Sequence, residues 1–163
     1  MIDAQALIHS YGLSHKNPTN KAIHWVCVPA IMWTTVGLLW SIPHAYFGIG
    51  AGTEWINWGT VGVLLSLLFY FRMSFTVGVG MAVVGFAILG LCHLAEVLSP
   101  WPLWQLCLAV FVVAWILQFV GHKIEGKKPS FLQDVFFLLV GPAWLLHFIY
   151  GWVGIPFTPE PTA

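Results

Sequence analysis

The chain has 163 residues, of which only six are basic and six acidic, while 59% are hydrophobic and ten are tryptophan. Soluble domains carry about 25% charged residues, so this composition excludes a soluble globular protein and predicts an integral membrane protein. Zero net charge without a basic run excludes nucleic acid as a partner. We predict an all-α, polytopic membrane bundle forming a single domain over residues 1–163.

The N-terminal segment, residues 1–21, is mixed and polar and does not resemble a signal peptide, so we expect it to be retained. Between residues 3 and 13, apolar side chains recur with the i, i+3, i+4, i+7 spacing of a one-faced helix. This pattern predicts a short helix lying at the membrane interface. A polar turn with an Asn-Pro pair follows at residues 14–20 and breaks the helix.

Five apolar runs follow and predict about five transmembrane helices within residues 22–153. The first run would extend about 31 Å as a helix, against a hydrocarbon core of roughly 30 Å, and Asn20 is its predicted N-cap. The runs cover residues 22–42, 55–71, 75–95, 104–121 and 130–153. Because the second run is short, an arrangement of four spans with one re-entrant or interfacial run is an alternative. The tail, residues 154–163, is expected to be extended and mobile.

Charge sorts the breaks between the runs by membrane face. If five spans alternate, one face holds all the basic residues, namely Lys16, Lys21, Arg72, Lys123, Lys127 and Lys128. The opposite breaks hold Glu54, Glu96 and Glu160 without a basic residue. The positive-inside rule therefore predicts a cytoplasmic N-terminus and an external C-terminus. On this topology His44, His93 and His147 fall toward the outer end.

Three histidines, His15, His24 and His122, fall at the cytoplasmic end of this arrangement. Neutral imidazole is a common ligand for iron and zinc, and three of them could hold one divalent ion with positions left open for substrate. Each histidine alone is more often an interfacial or hydrogen-bonded group. Ionisable groups at membrane depth are costly, however, so a functional site is the default hypothesis for the three together.

Polar residues near these histidines are candidates for supporting roles. Glu125 follows His122 by three residues and is a candidate ligand, a group that orients an imidazole, or the counter-ion of Lys127 and Lys128. The preferred interpretation of Asp134 is a residue at the start of a helix, and the alternative is a metal ligand. Tyr11 either reaches the pocket or anchors the chain at the membrane interface. The further candidates for supporting the site or binding substrate are Asn17, Asn20, Gln118, Lys123 and His147.

Two motifs carry a family resemblance over nearly the whole chain. They read Tyr11-x-x-x-His15-x-Asn17-Pro18-x-Asn20-x-x-x-His24-x-x-x-x-Pro29 and Trp115-Ile116-x-Gln118-Phe119-x-Gly121-His122-x-x-Glu125-x-x-x-Pro129, followed by Asp134. The chain thereby resembles the 2-hydroxy fatty acid dioxygenase family, whose fungal founding member is an endoplasmic-reticulum enzyme of phytosphingosine breakdown.

This resemblance implies a function and a metal. It implies Fe(II)-dependent α-oxidation, in which a long-chain 2-hydroxy fatty acid and O₂ give the acid shortened by one carbon. His15, His24 and His122 match the family's metal-binding histidines, and Glu125 is a further candidate catalytic residue. The implied location is a lipid membrane, either the bacterial inner membrane or the endoplasmic reticulum, with the active site on the cytoplasmic side.

A rival hypothesis is a small transporter or channel that uses intramembrane histidines such as His93 and His147. A third is a structural membrane protein without chemistry. A transport path needs polar groups at successive depths, and the second run offers almost none. The clustering of His15, His24 and His122 at one face therefore favours the enzyme.

Overall fold

The computed structural model of the chain describes residues 3–43, 55–127 and 137–157. Within these ranges the chain is entirely helical, with no strand, which confirms the all-α prediction. The six helices are α1 (Ala4–Gly12), α2 (Pro18–Trp40), α3 (Trp58–Met73), α4 (Phe75–Leu98), α5 (Leu103–Glu125) and α6 (Phe137–Val153).

Helices α2, α4 and α5 are each long and apolar enough to cross a membrane, while α3 and α6 are apolar but shorter. Their outward faces carry large hydrophobic side chains, for example Val26, Leu65 and Val83, each more than 60% exposed. A soluble protein would cover such faces or make them polar, whereas lipid accommodates them. The exposed surface therefore agrees with association with a membrane.

Helix α2 begins at Pro18, four residues before the predicted start, and its N-cap is Asn17 rather than Asn20. The Asn17 side chain accepts hydrogen bonds from the backbone N–H groups of Thr19 (2.9 Å) and Asn20 (3.4 Å). Asparagine is a preferred N-cap and proline is favoured at the first helical position, which explains the earlier start. Asn20 thus lies inside the helix, one turn before His24.

Helix α5 continues to Glu125, beyond the predicted end at residue 121. Gly126 then ends it in the left-handed conformation, with φ of 73°, and its backbone N–H bonds to the carbonyls of His122 and Lys123. Glycine adopts this conformation without steric penalty, which makes it the usual C-terminal stop. His122 and Glu125 consequently share one face of the last turn.

Helix α6 differs from the five-span prediction. The Tyr150 hydroxyl donates to the Thr76 carbonyl (2.8 Å), and the Ser74 hydroxyl donates to the Phe157 carbonyl (2.9 Å). Trp152 stacks on Trp25, with ring centroids 5.3 Å apart. Thr76 lies in the first turn of α4, Ser74 lies directly before it, and Trp25 lies in the second turn of α2. At the start of α6, the Leu139 carbonyl accepts from the hydroxyl of Tyr70 near the end of α3 (3.0 Å). Both ends of α6 therefore lie near the same end of the bundle, and α6 crosses this end instead of traversing the bundle.

Two further predictions change with α6. Residues 154–157, predicted as mobile tail, pack against the start of α4, with Phe157 buried. His147, predicted toward the outer end, is exposed on α6 and contacts Phe148 and Phe157 at the same end as Ser74. His93, predicted toward the outer end, lies in α4 and contacts Trp40 and Trp55 at the end of the bundle opposite Ser74, as expected. The predictions for His44, Glu54, Lys128, Asp134 and Glu160 fall outside the described residues.

Candidate metal centre

The structure brings His15, His24 and His122 together. His15 lies in the turn between α1 and α2, His24 in the second turn of α2, and His122 in the last turn of α5. Their side chains are 1%, 1% and 5% exposed. The His15 ring centroid lies 4.3 Å from that of His24 and 5.0 Å from that of His122. One ring nitrogen of each lies within 4.8 Å of the others, which is close enough for all three to hold one metal ion.

Hydrogen bonds fix the orientation of two of these rings. Nδ1 of His15 lies 2.7 Å from the Tyr11 carbonyl oxygen, and Nδ1 of His24 lies 2.9 Å from the Asn20 carbonyl oxygen. A carbonyl oxygen only accepts, so each Nδ1 carries the proton, and in the neutral ring Nε2 keeps its lone pair. These two hydrogen bonds thus turn each ring so that its Nε2 lone pair faces the centre of the site.

The two Nε2 atoms of His15 and His24 are 3.0 Å apart. Two lone pairs facing each other at this distance repel, and a cation that accepts both removes the repulsion. Two nitrogens at right angles around an ion about 2.1 Å from each would themselves be about 3.0 Å apart. The spacing therefore fits a shared metal ion.

The His15 ring is neutral at physiological pH, which is the form that binds metals. Burial lowers the pKa of His15 to about 3, against the smaller opposing effect of its hydrogen bond to the Tyr11 backbone. In His122, Nδ1 is buried without a hydrogen-bond partner. A buried polar atom without a partner is uncommon, and a metal ion held by the three histidines would supply one.

Nitrogen donors of this kind suit iron, zinc, copper and nickel. Within the described residues the cluster consists of the three histidines, without a carboxylate. Three protein ligands leave coordination positions open, as in catalytic rather than structural metal sites.

Glu125 fastens the His15 turn to the end of α5. One carboxylate oxygen accepts from the Lys16 backbone N–H (2.8 Å), and the other accepts from the Asn17 backbone N–H (2.8 Å) and the Asn20 side-chain amide (3.1 Å). Hydrogen bonds to a carboxylate are roughly twice as strong as neutral ones. Among the alternatives that the sequence leaves open, these contacts favour the role of orienting an imidazole.

The neighbouring lysines have other positions. The Lys127 ammonium donates to the Leu13 carbonyl (2.8 Å), which is a second tie between the end of α5 and the turn after α1. Lys123 is exposed on the last turn of α5. Among the described residues, the partners of the Glu125 carboxylate are the two backbone N–H groups of the turn and the Asn20 amide, and the Lys127 ammonium donates elsewhere.

Asn20 and Gly121 form a close contact beneath the site. Asn20 is fully buried, and its amide donates to the Ser14 carbonyl (3.3 Å) as well as to Glu125. A Cβ atom added to Gly121 would overlap the Asn20 amide oxygen. Glycine at position 121 therefore lets α5 approach α2 closely enough to bring His122 to His24.

We expect Gly121→Ala to weaken metal binding about 10–100-fold, the range typical for partners that position metal ligands, because the methyl group pushes α5 away from α2. Isothermal titration of the purified protein with Fe(II) under anaerobic conditions measures the change. The matched control is Gly90→Ala on α4, where an added Cβ meets nothing within 4 Å. Equal affinities for Gly121→Ala and the unmodified protein would contradict this role.

Aromatic rings cover His15 on the side of α1 and α6. The Tyr11 ring stacks on it with centroids 4.1 Å apart, and Trp144 lies 5.2 Å away. Both rings are buried, at 7% and 3% exposure. The prediction for Tyr11 reaching the pocket agrees with this stacking. Trp144 was not predicted, since nothing in its sequence context separates it from the other tryptophans of the apolar runs.

We call His15, His24 and His122 the metal cluster. A cavity of about 700 Å³ opens from it into the apolar interior. Its polar end is formed by Tyr11, His24, Gln118 and His122. Gln118 is 7% exposed and lines the cavity together with His24 and His122. His147 and Lys123 do not line the cavity, and His93 lies at the opposite end of the bundle. The arrangement thus joins one polar site to one apolar cavity and gives no support to a path between His93 and His147.

Comparison with known proteins agrees with the predicted resemblance. The profile of the family described as "2-hydroxy-palmitic acid dioxygenase Mpo1-like" matches residues 1–153. The chain belongs to this Mpo1-like family. It is 24% identical over 152 residues to the 2-hydroxy-palmitic acid dioxygenase of Saccharomyces cerevisiae, an alignment covering 91% of this chain and 79% of the yeast protein. No solved structure matches the chain significantly.

Proposed function

We propose that this Mpo1-like protein is an Fe(II)-dependent dioxygenase that carries out α-oxidation of long-chain 2-hydroxy fatty acids. The main observation in support is that three imidazoles converge at the polar end of an apolar cavity. The yeast relative is named for 2-hydroxy-palmitic acid, which has a polar 2-hydroxycarboxylate head and a long apolar chain. In the balanced reaction the 2-hydroxy acid and O₂ give the acid shortened by one carbon, CO₂ and water.

When bound, an Fe(II) ion supplies the redox chemistry through which O₂ reacts with the 2-hydroxy acid. His15, His24 and His122 hold it, and the carbonyls of Tyr11 and Asn20 keep two of the rings in the ligating tautomer. The Tyr11 and Trp144 rings cover His15 and limit access of water on that side. Full reduction of O₂ takes four electrons. Oxidation of the 2-hydroxyl group supplies two of them and cleavage of the C1–C2 bond supplies the other two, so no separate reductant is required.

The apolar cavity binds the acyl chain, while Gln118 stands at the boundary between the cavity and the histidines. A volume of about 700 Å³ lies within the usual range for small-molecule sites, roughly 300–1,000 Å³. Lys123 is exposed outside the site, and its role in attracting the carboxylate stays a prediction. Asp134 falls outside the described residues, and its role in supporting the site also stays a prediction.

The proposed placement in the membrane has four spans, α2 to α5, with α1 and α6 lying at one interface. The basic residues Lys16, Lys21, Arg72, Lys123 and Lys127 lie at or next to the helix ends on the side of the metal cluster. The positive-inside rule places this side in the cytoplasm, with the N-terminus and the active site. Because α6 crosses the same end, Phe157, where the described residues end, also lies on the cytoplasmic side in this placement. The chain forms a single membrane-embedded domain over residues 1–163, in a bacterial inner membrane or the endoplasmic reticulum.

The test is identification of the products. Protein purified anaerobically in detergent and loaded with Fe(II) is given 2-hydroxypalmitic acid and O₂. We expect pentadecanoic acid and CO₂ to form in equal amounts, with one O₂ consumed for each acid. Iron-loaded protein that leaves 2-hydroxypalmitic acid unchanged, or gives a product that retains every carbon, would contradict the proposed function.

A further inference from the structure

We propose that Gly62 on α3 and Gly85 on α4 set the length of the acyl chain that the cavity accepts. This inference rests on the proposed function, since it assigns the far end of the same cavity. Both glycines line the cavity on the side away from the metal cluster, together with Leu39, Val63 and Ile88.

The cavity is long enough for an extended acyl chain. His24 lines it at one end and Leu39 near the other, and fifteen residues of α2 separate them, a rise of about 22 Å. A fully extended chain of palmitic or stearic length is comparable to this distance. A long-chain acid with its head at the histidines therefore brings its terminal methyl group near the level of the two glycines.

The hydroxyl groups in the cavity wall between its two ends already have hydrogen-bond acceptors within the protein. The Ser66 hydroxyl donates to the Val63 carbonyl (2.7 Å), and the Tyr70 hydroxyl donates to the Leu139 carbonyl (3.0 Å). Because these donors are satisfied within the protein, the lining presents mainly apolar surface to its occupant. An alkyl chain fits such a surface, and its terminal methyl group would stop at the far boundary.

At that boundary the two glycines let the side chains of Leu39 and Val63 pack directly against the backbones of α3 and α4. A Cβ atom at Gly62 would come within 2.9 Å of a Leu39 methyl carbon, and one at Gly85 within 2.7 Å of a Val63 methyl carbon. A larger residue would occupy the far end or push Leu39 and Val63 into it. Glycine is a poor helix former, so its use in these two helices is explained by the close approach of Leu39 and Val63, which a larger residue would displace toward the cavity.

The test compares turnover of 2-hydroxylauric, 2-hydroxypalmitic and 2-hydroxystearic acids. In Gly62→Val and Gly85→Val, we expect the ratio of kcat/KM for 2-hydroxystearic over 2-hydroxylauric acid to fall at least about tenfold, since the loss or gain of methylene contacts changes discrimination by about 10–200-fold. Leu39→Ala, which enlarges the far end, should raise the same ratio. Gly90→Val on α4, with open space around its Cβ, is the matched control and should keep it.

A binding measurement separates this inference from the proposed function. Displacement of a fluorescent fatty acid by lauric, palmitic and stearic acids reports occupation of the cavity without turnover. A chain-length shift in binding with no oxidation of any 2-hydroxy acid would support the cavity assignment and overturn the dioxygenase. Turnover with unchanged ratios in both valine variants would overturn the cavity assignment alone. Gly62→Ala serves where valine prevents folding, and an unchanged ratio in that variant has the same meaning.

Discussion

His24→Ala is expected to abolish both stoichiometric iron binding and turnover of 2-hydroxypalmitic acid. His24 is 1% exposed, and its Nε2 atom faces that of His15 at 3.0 Å. Removing it leaves two imidazoles, which is too few to compete with water for Fe(II). The loss of affinity should exceed the roughly 10–100-fold effect typical of residues that only position a ligand. Iron content after anaerobic reconstitution and desalting, measured with product formation, checks the result.

The same outcome is expected for His15→Ala and His122→Ala. The control is His9→Ala, because His9 is exposed on α1 and lies outside the cluster. Thermal unfolding of each metal-free variant shows whether the bundle is intact, so that lost iron binding is not confused with lost folding. Full turnover by any one of the three cluster variants would remove that histidine from the metal site.

Glu125→Gln is expected to weaken iron binding about 10–100-fold while leaving the three imidazoles in place. The carboxylate accepts from the backbone N–H groups of Lys16 and Asn17 and from the Asn20 amide. An amide in its place has one oxygen and one NH₂ group, so at least one donor of the turn loses its acceptor. The turn that carries His15 should then loosen, and iron should dissociate faster than from the unmodified protein.

The rate of iron transfer to a chromogenic chelator measures this effect independently of activity. Glu96→Gln is the matched control, since Glu96 accepts from the Trp40 indole N–H (2.9 Å) at the opposite end of the bundle. We expect that control to release iron at the unmodified rate. If Glu125→Gln also releases iron at that rate, the carboxylate does not hold the His15 turn in place.

The meeting of three particular histidines at one end of the bundle was predictable from sequence. His15, His24 and His122 are polar groups at the ends of apolar runs, and the sorting of basic residues places them at one end. The structure agrees, with the three rings within contact of one another. The i, i+3 relation of His122 and Glu125 also follows directly from spacing once the helix is known to continue to Glu125.

The role of Glu125 was not predictable, because its partners in the His15 turn are more than a hundred residues away in sequence. Its local neighbours are lysines, so spacing alone favours an ion pair as strongly as an orienting role. The backbone N–H groups of Lys16 and Asn17 carry no sequence signal. Only the packing of α2 on α5, made close by Gly121, brings donors and acceptor together.

The position of α6 was mispredicted for a related reason. Hydropathy identifies an apolar helix but does not distinguish one that crosses a membrane from one that packs across the end of a bundle. The contacts that decide are single polar groups, the hydroxyls of Tyr150 and Ser74, which bond to backbone carbonyls of distant segments. Trp144 was missed as a neighbour of His15 because it depends on this placement.

X-ray absorption at the iron edge of the Fe(II)-loaded protein tests most directly whether three histidines hold the metal. We predict one iron per chain with three imidazole nitrogens at about 2.1 Å, close to the distances known for metal–histidine bonds, and fewer imidazoles in His15→Ala, His24→Ala or His122→Ala. Iron without imidazole in its first coordination shell, or a protein that binds no iron after anaerobic reconstitution, would contradict the assignment.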